Sequence, residues 1–312
     1  MNLVTPQHWK EYELIDTGGL EKLERFGAYT LARPEPQAVW KKSLPEIQWD
    51  QLAHARYRRL KGIDPGKSET AEKGEWSRKK TMPDQWFMAY QYNDLRLKFR
   101  LGLTSFGHIG VFPEQAANWN YIYDLIKQGK KPDLTTSGGV PEPQLITRVL
   151  NLFAYTGGAS MAAKAAGADV VHVDSVKAVV NWGHEMMEAS HLKDIRWVVE
   201  DALRFVRREV KRGNRYQGII LDPPAYGRGP DGEKWILQES IDEMIAGCRS
   251  LLDPEKGFFV LSLYSMGFSA LIPDNLVRGH FGTEPSREIG ELYLPDRAGN
   301  RLPLGTFLRF HR

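Results

Sequence analysis

From residue 149 to residue 263, short apolar runs rich in valine, isoleucine or phenylalanine alternate with helix-length amphipathic segments. The runs lie at 149–154, 170–174, 197–200, 218–222 and 257–263, and the spacing between them predicts helices near 158–166, 176–189, 201–212 and 236–252. Alternating strand and helix implies a parallel sheet wound by right-handed crossovers. The end of the chain differs: 291–294, a turn at 296–300, and 306–310 read as an antiparallel hairpin.

Upstream of residue 110 the pattern is that of short strands, at 12–15, 29–32 and 86–90, separated by turn signals. The clearest is Leu95-Arg96-Leu97-Lys98-Phe99-Arg100-Leu101, whose strict apolar/basic alternation predicts a half-buried strand with a basic outer face. Tyr92-Asn93-Asp94 supplies a hairpin turn before it, and 61–83, with its Gly, Pro, Ser and charged residues, reads as a surface loop. A helix is predicted from Pro113, with Trp119, Ile122, Leu125 and Ile126 at helical spacing and Gly129 at its end; a Gly-, Pro- and Thr-rich loop follows to about residue 147. The expected organisation is a small β-rich domain at 1–107 and a larger α/β domain at 108–312.

A chain of 312 residues, 42% of them hydrophobic, accommodates two such cores. The net charge of +3 is compatible with a nucleic-acid partner and does not require one. The single cysteine, Cys248, excludes an internal disulfide framework and a multi-cysteine zinc site, and no metal is expected. Cys248 shares one helix face with Ile241, Met244, Ile245, Leu251 and Leu252, which marks it as a core residue. The first residues lack a signal-peptide core, and no apolar run approaches the ~18 residues that cross a bilayer. The expectation is a cytoplasmic protein with no membrane partner.

Two segments carry candidate chemistry. The first is Phe153-Ala154-Tyr155-Thr156-Gly157-Gly158, between the first parallel strand and its helix, where small residues let the backbone approach a ligand and the helix N-terminus offers free N–H groups. Its glycine spacing departs from the dehydrogenase G-x-G-x-x-G pattern. Asp174, followed by Ser175, ends the second strand at close to the ~20-residue separation from the turn expected of a carboxylate that accepts from ribose hydroxyls; a helix cap is the competing reading. Asp201-Ala202, at the end of the third strand, is placed either to accept from an adenine amino group or to cap the next helix. The second segment is Asp222-Pro223-Pro224-Ala225-Tyr226 after the fourth strand. Two prolines stop the ladder and fix an extended path, aiming the Asp222 carboxylate and the Pro223 carbonyl beyond the strand ends, where they can accept from a substrate amino group. Tyr226 supplies a flat face for an extruded base.

In this order and spacing, N-L-F-A-Y-T-G-G, V-D-S, E-D-A and L-D-P-P-A-Y resemble the bacterial large-subunit ribosomal RNA methyltransferases that modify cytosine C5 or guanine N7. The likeness covers about residues 105 to 270. It implies a Rossmann-like class I methyltransferase sheet closed by the C-terminal hairpin, S-adenosyl-L-methionine as cofactor, RNA (ribosomal RNA above all) as substrate, and a small RNA-contacting N-terminal domain. It also implies that Gln115, in the stretch from Phe106 to Gln115, contacts the methyl donor. The chain departs from the cytosine-C5 members in lacking a cysteine after the fifth strand, where it reads Leu261-Ser262-Leu263-Tyr264-Ser265-Met266. That enzyme class needs a thiolate to activate the ring, so a base nitrogen is the expected target. A basic, aromatic cluster (His54, Arg56, Tyr57, Arg58, Arg59, Lys61, Trp76, Arg78, Lys79, Lys80) is the candidate RNA-contacting surface, against the alternative of a solvated charged face. Transfer to a protein amide or small molecule, and a non-catalytic RNA-binding or assembly role, are the competing functions. Nothing in the sequence fixes the oligomeric state.

Overall fold

In the computed structural model, which describes residues 1–7, 9–59, 74–79, 81–129, 147–264 and 269–312, the chain divides into two compact units. One unit holds Val4–Glu114 together with Leu292–Leu304, and the other holds Met1–Leu3, Gln115–Glu291 and Gly305–Arg312. The division falls after Glu114 rather than after residue 107. The tip of the C-terminal hairpin belongs to the smaller unit, which no local pattern in that hairpin announces.

After a first short strand, β1 (Asn2–Val4), the smaller unit is built from β2 (Tyr12–Gly18), β3 (Glu21–Phe26), β4 (Tyr29–Pro34), helix α1 (Glu46–Leu52), β5 (Ala55–Arg59) and β6 (Gly74–Arg78). These strands form one sheet in sequence order, antiparallel except for the β4–β5 pair. Trp49 of α1 packs with Ile15, Leu23, Ala32 and Ala53, and donates its indole N–H to Asp16 Oδ2 at 2.7 Å. β3 was not legible as a strand because its sequence, Glu-Lys-Leu-Glu-Arg-Phe, is mostly charged; Glu24 is nevertheless fully buried, held by Arg33. A separate two-stranded ribbon, β7 (Gln85–Tyr92) with β8 (Leu95–Gly102), shows the alternation expected of it, and Asn93 turns it with φ 48°.

The expected helix at Pro113 begins as a tight 3₁₀ turn, Pro113–Gln115, before α2 (Ala116–Gln128). Then follow β9 (Arg148–Leu152), α3 (Gly158–Ala165), β10 (Asp169–Asp174), α4 (Lys177–Ala189), β11 (Ile195–Val199), α5 (Ala202–Lys211), β12 (Gly218–Leu221), β13 (Tyr226–Arg228), β14 (Lys234–Ile236), α6 (Leu237–Leu251), β15 (Phe258–Leu263), α7 (Leu271–Phe281), β16 (Glu288–Pro295) and β17 (Arg301–His311). Helix α7 was not anticipated, since Pro273 interrupts its periodic pattern; proline is tolerated there because it lies in the first turn.

The main sheet runs β1-β16-β17-β15-β12-β9-β10-β11. β15, β12, β9, β10 and β11 are parallel, and β17 joins β15 antiparallel. From β9 the chain winds outward to β11, then returns to the other side of β9 at β12. The carboxyl ends of β9 and β12 therefore flank a topological switch point, where open α/β sheets bind ligands. Side chains of β9, β10, β12, β15 and β17 share one core with those of α5, α6 and α7, among them Phe205, Ile245, Cys248, Phe259 and Phe310.

Candidate functional site

Register brings the two candidate segments together. Leu152 of β9 pairs with Leu221 of β12, so the turn that begins at Phe153 and the motif that begins at Asp222 leave neighbouring strand ends; Asp222 N donates to Leu152 O at 3.4 Å. The turn is strained. Phe153 and Tyr155 have φ of 54° and 51°, a region that bulky side chains rarely occupy and that costs on the order of 1–3 kcal/mol per residue. Asp174 opposes that strain: its Oδ2 accepts from Tyr155 N and its Oδ1 from Val176 N, both at 2.9 Å. Burial pushes the Asp174 carboxyl above its ordinary value, against the pull of these backbone N–H groups.

Both glycines of the turn answer to packing. Gly157 adopts φ 86°, and a Cβ there would meet the His172 ring at 3.2 Å. A Cβ on Gly158 would come within 2.5 Å of the Trp119 indole on α2. Thr156 and Ala154 are buried, and behind the turn lies a polar group that the sequence did not announce. Asn151 Nδ2 donates to Ser160 Oγ at 2.9 Å, Ser160 Oγ meets His172 Nδ1 at 3.1 Å, and burial lowers His172 to about 3, keeping it neutral.

The cleft at the strand ends is lined by Phe153, Asp174, Ser175, Asp201, Ala202, Pro224, Gly227, Arg228 and Trp235. Six of these were sequence candidates. Gly227, Arg228 and Trp235 were not, because they belong to the β13–β14 hairpin, three residues per strand and too short for a periodic signal. Trp235 has two roles there. Its ring lies 4.6 Å from that of Phe153, and its Nε1 donates to Pro224 O at 2.7 Å, tying the second segment to the cleft wall. Asp201 caps α5 through Oδ1 on Arg204 N at 2.8 Å, so the capping role considered from sequence is present.

Of the remaining candidates, Pro223 is buried and Asp222 half-buried, whereas Tyr226 is 59% exposed. Gln115 stands at the start of α2, its Oε1 accepting from Asn118 Nδ2 at 3.0 Å and Ser262 Oγ at 3.3 Å. Neither it nor Tyr155, Gly157 or Gly158 lines the cleft. Flat aromatic walls, two carboxylates and a strained backbone turn are chemistry that suits a nucleoside.

The described members of the basic cluster differ in their surroundings, with Arg58 and Arg59 exposed. Arg56 is committed to Glu21, Glu46 and Asp50, and Arg78 to Asp84. Tyr57 is buried, and Trp76 turns its indole N–H to Thr104 O at 2.7 Å. Lys61 and Lys80, like Ser265 and Met266, lie outside the described residues. Among the described residues no group of His, Cys, Asp and Glu is arranged to hold a metal, and no helix is long and apolar enough to cross a membrane.

A crystal structure of an S-adenosylmethionine-dependent methyltransferase from Agrobacterium tumefaciens is 32% identical, covers 100% of this chain and 93% of its own, and superposes with a TM-score of 0.85. The chain belongs to the S-adenosylmethionine-dependent methyltransferases. The family model of that description matches residues 138–290, which contain both candidate segments, and S-adenosylmethionine is the cofactor of the family. The methyltransferase is also similar to the ribosomal RNA large subunit methyltransferase K/L of Shewanella frigidimarina, 29% identical over 50% of this chain and 20% of the relative. The protein of that name from Shewanella sp. strain ANA-3 is 27% identical over 83% of this chain and 33% of its own length. The chain spans between a fifth and two fifths of the length of the curated relatives it matches.

Asp174→Ala removes the acceptor of two backbone N–H groups and of the proposed ribose contact. We expect affinity for S-adenosylhomocysteine to fall by about 1–2 kcal/mol in a folded protein, the scale of lost hydrogen bonds to a charged acceptor. Calorimetry decides it. Because burial raises the Asp174 carboxyl, protonation on acidification starts at a higher pH than for an exposed aspartate, so wild-type affinity falls with pH and the variant's does not share that fall. Unchanged affinity in the folded variant removes Asp174 from the donor site.

Proposed function

We propose that this methyltransferase transfers the methyl group of S-adenosylmethionine to a base nitrogen of RNA, ribosomal RNA being the substrate class that its curated relatives' names point to. When bound, the cofactor supplies an electrophilic sulfonium methyl. On this reading Phe153, Asp174, Asp201 and the β13–β14 hairpin hold the nucleoside part of the donor, and Gln115 approaches it from α2. The Asp222 carboxylate and the Pro223 carbonyl accept from an amino group of the target base and aim its lone pair, while Tyr226 gives the base a face to stack on. Carrying the reading is the pairing of Leu152 with Leu221, which sets the donor turn and the Asp-Pro-Pro-Ala-Tyr motif on adjacent strand ends. Labelled donor incubated separately with bulk RNA, protein and metabolite fractions, followed by mass spectrometry of the labelled product, tests it; a methylated base nitrogen supports the proposal, and label confined to protein or metabolites overturns it.

The buried cysteine supports a nitrogen target over cytosine C5. Cys248 is fully buried on α6, and burial pushes its thiol far above the ordinary range, so it is neither ionised nor accessible. Cys248→Ser is therefore expected to keep most activity and to melt at a lower temperature, since a hydroxyl in an apolar site without a partner costs roughly 1–3 kcal/mol. No covalent adduct is expected with RNA containing 5-fluorocytosine. Trapping one through Cys248 would replace the nitrogen target by cytosine C5.

A further inference from the structure

The start of α2 carries a hydrogen-bond network whose polarity is fixed at one end by a group that can only donate. Arg309 of β17 is buried, and its Nε and Nη2 donate to Glu288 Oε2 at 2.9 and 2.7 Å. Its guanidinium lies 4.2 Å from the centre of the Tyr121 ring, and its Nη1 donates to Asn118 Oδ1 at 3.4 Å. A guanidinium has no acceptor, so the Asn118 oxygen belongs on that side and its NH2 on the other. Asn118 Nδ2 accordingly donates to Gln115 Oε1 at 3.0 Å and to Ser262 Oγ at 3.1 Å. Ser262 Oγ in turn donates to Gln115 Oε1 at 3.3 Å. With its oxygen turned to two donors, Gln115 presents Nε2 on its open side; the reverse orientation would set N–H against N–H. The Gln115 side chain is half-buried and does not cap α2, and among the described residues no group accepts from its Nε2.

Helix α2 begins beside both candidate segments. Ser262 follows Leu261, the register partner of Leu221, and Leu221 precedes Asp222. One turn along α2, Trp119 packs against Gly158 at the start of α3. The sulfonium of the methyl donor carries three groups: a nucleoside, the transferable methyl, and an amino-acid arm that ends in a carboxylate and an ammonium. An amide that presents N–H selects the carboxylate of that arm, whereas one that presented its oxygen would select the ammonium. We infer that Arg309, acting through Asn118, commits Gln115 to donate to the carboxylate of S-adenosylmethionine, a role that rests on the proposed contact of Gln115 with the donor. Arg309 and Asn118 are then positioning residues. They decide which end of the Gln115 amide meets the ligand.

Calorimetry on the full chain with two ligands tests this: S-adenosylmethionine, and its decarboxylated analogue, which keeps the sulfonium and the amine and loses only the carboxylate. The wild type should bind S-adenosylmethionine about tenfold or more tightly than the analogue, the scale of a hydrogen bond to a charged group. Gln115→Met should erase most of that preference by weakening S-adenosylmethionine alone. Asn118→Asp offers Gln115 only acceptors, which turns Nε2 inward and the oxygen outward, and should lower the preference about tenfold. The new carboxylate has Arg309 as a partner, so the fold should be kept. Asn118→Leu removes the restraint without adding a charge and should lower the preference part of the way. Arg309→Met should act in the same direction, and Arg309→Lys, which still only donates, should keep the preference; equal preference in the two overturns the role of Arg309. In a Gln115→Met background Asn118→Asp should change nothing further, whereas a through-space effect of its charge would persist there. Such persistence, or no preference in the wild type, overturns the assignment. Gln115 separates the two levels. If Gln115→Met binds both ligands as wild type does, the contact with the donor falls and its positioning with it. If Gln115→Met loses the preference while both Asn118 variants keep it, the contact stands and the positioning role is wrong.

Discussion

Asp222→Ala should reduce methyl transfer by about 10²–10⁴-fold, the range for loss of a positioned proton-accepting group, while affinity for S-adenosylhomocysteine stays within a few fold. Other groups also hold the segment's path. Pro223 and Pro224 restrict the backbone, Trp235 Nε1 holds Pro224 O at 2.7 Å, and Leu237 N holds Ala225 O at 3.0 Å. The cleft proposed for the donor is lined from Pro224 onward and by the ends of β9, β10 and β11, not by Asp222. Single-turnover transfer and donor titration on the same preparation check both halves. Substantial residual transfer removes Asp222 from the mechanism; lost donor affinity with it reassigns the carboxylate to the cofactor.

The largest stability effect is expected at Arg33. Its Nη2 and Nε donate to Glu24 Oε2 at 2.5 and 3.0 Å, Nη1 donates to Gly107 O at 3.2 Å, and Tyr12 Oη donates to Glu24 Oε1 at 3.0 Å, all buried. Arg33→Met leaves Glu24 charged and buried with its main partner gone, at a cost of about 3–5 kcal/mol. Adding Glu24→Gln should recover much of that loss, which a merely steric effect of methionine would not allow.

The pH dependence of this cluster distinguishes the variants further. Burial pushes the Glu24 carboxyl up, but the charges of Arg33 and Lys22 and the hydrogen bonds from Arg33 and Tyr12 hold it below its ordinary value. Its contribution is therefore complete above the unfolded carboxyl range and is lost as pH falls through the lowered folded value. Glu114 acts oppositely: burial raises it to about 7, so stability is lost as pH rises from the ordinary carboxyl range towards 7. Wild-type melting temperature should pass through a maximum between these limits. In Arg33→Met, Glu24 keeps only Lys22 and Tyr12 and rises as Glu114 does, and melting temperature should increase steadily on acidification through that window. A profile parallel to wild type would show that Arg33 does not set the Glu24 charge.

The segments the sequence made legible are those whose chemistry is local. The five parallel strands were read from apolar runs about as long as the strands themselves, and Cys248 from the spacing of one helix face. The turn after β9 and the Asp-Pro-Pro-Ala-Tyr segment were visible because glycine permits and proline restricts backbone conformation whatever surrounds them. What the sequence could not carry is which distant residue meets which. Trp235 gives no local sign that its indole will hold Pro224, and Arg56 looks like an RNA contact until Glu21, Glu46 and Asp50 converge on it.

Taken alone, then, the sequence determined the alternation of the five parallel strands with the helices between them, the two segments that flank the switch point, and the absence of a cysteine to attack a pyrimidine ring, because each depends on periodicity, backbone restriction or residue identity. Tertiary structure alone decided that a strand as charged as β3 is buried, since Glu24 is tolerable only once Arg33 on the neighbouring strand lies within hydrogen-bond distance. It also decided that Arg56 is spent on Glu21, Glu46 and Asp50, because that depends on side chains brought together by the fold and not on any local pattern.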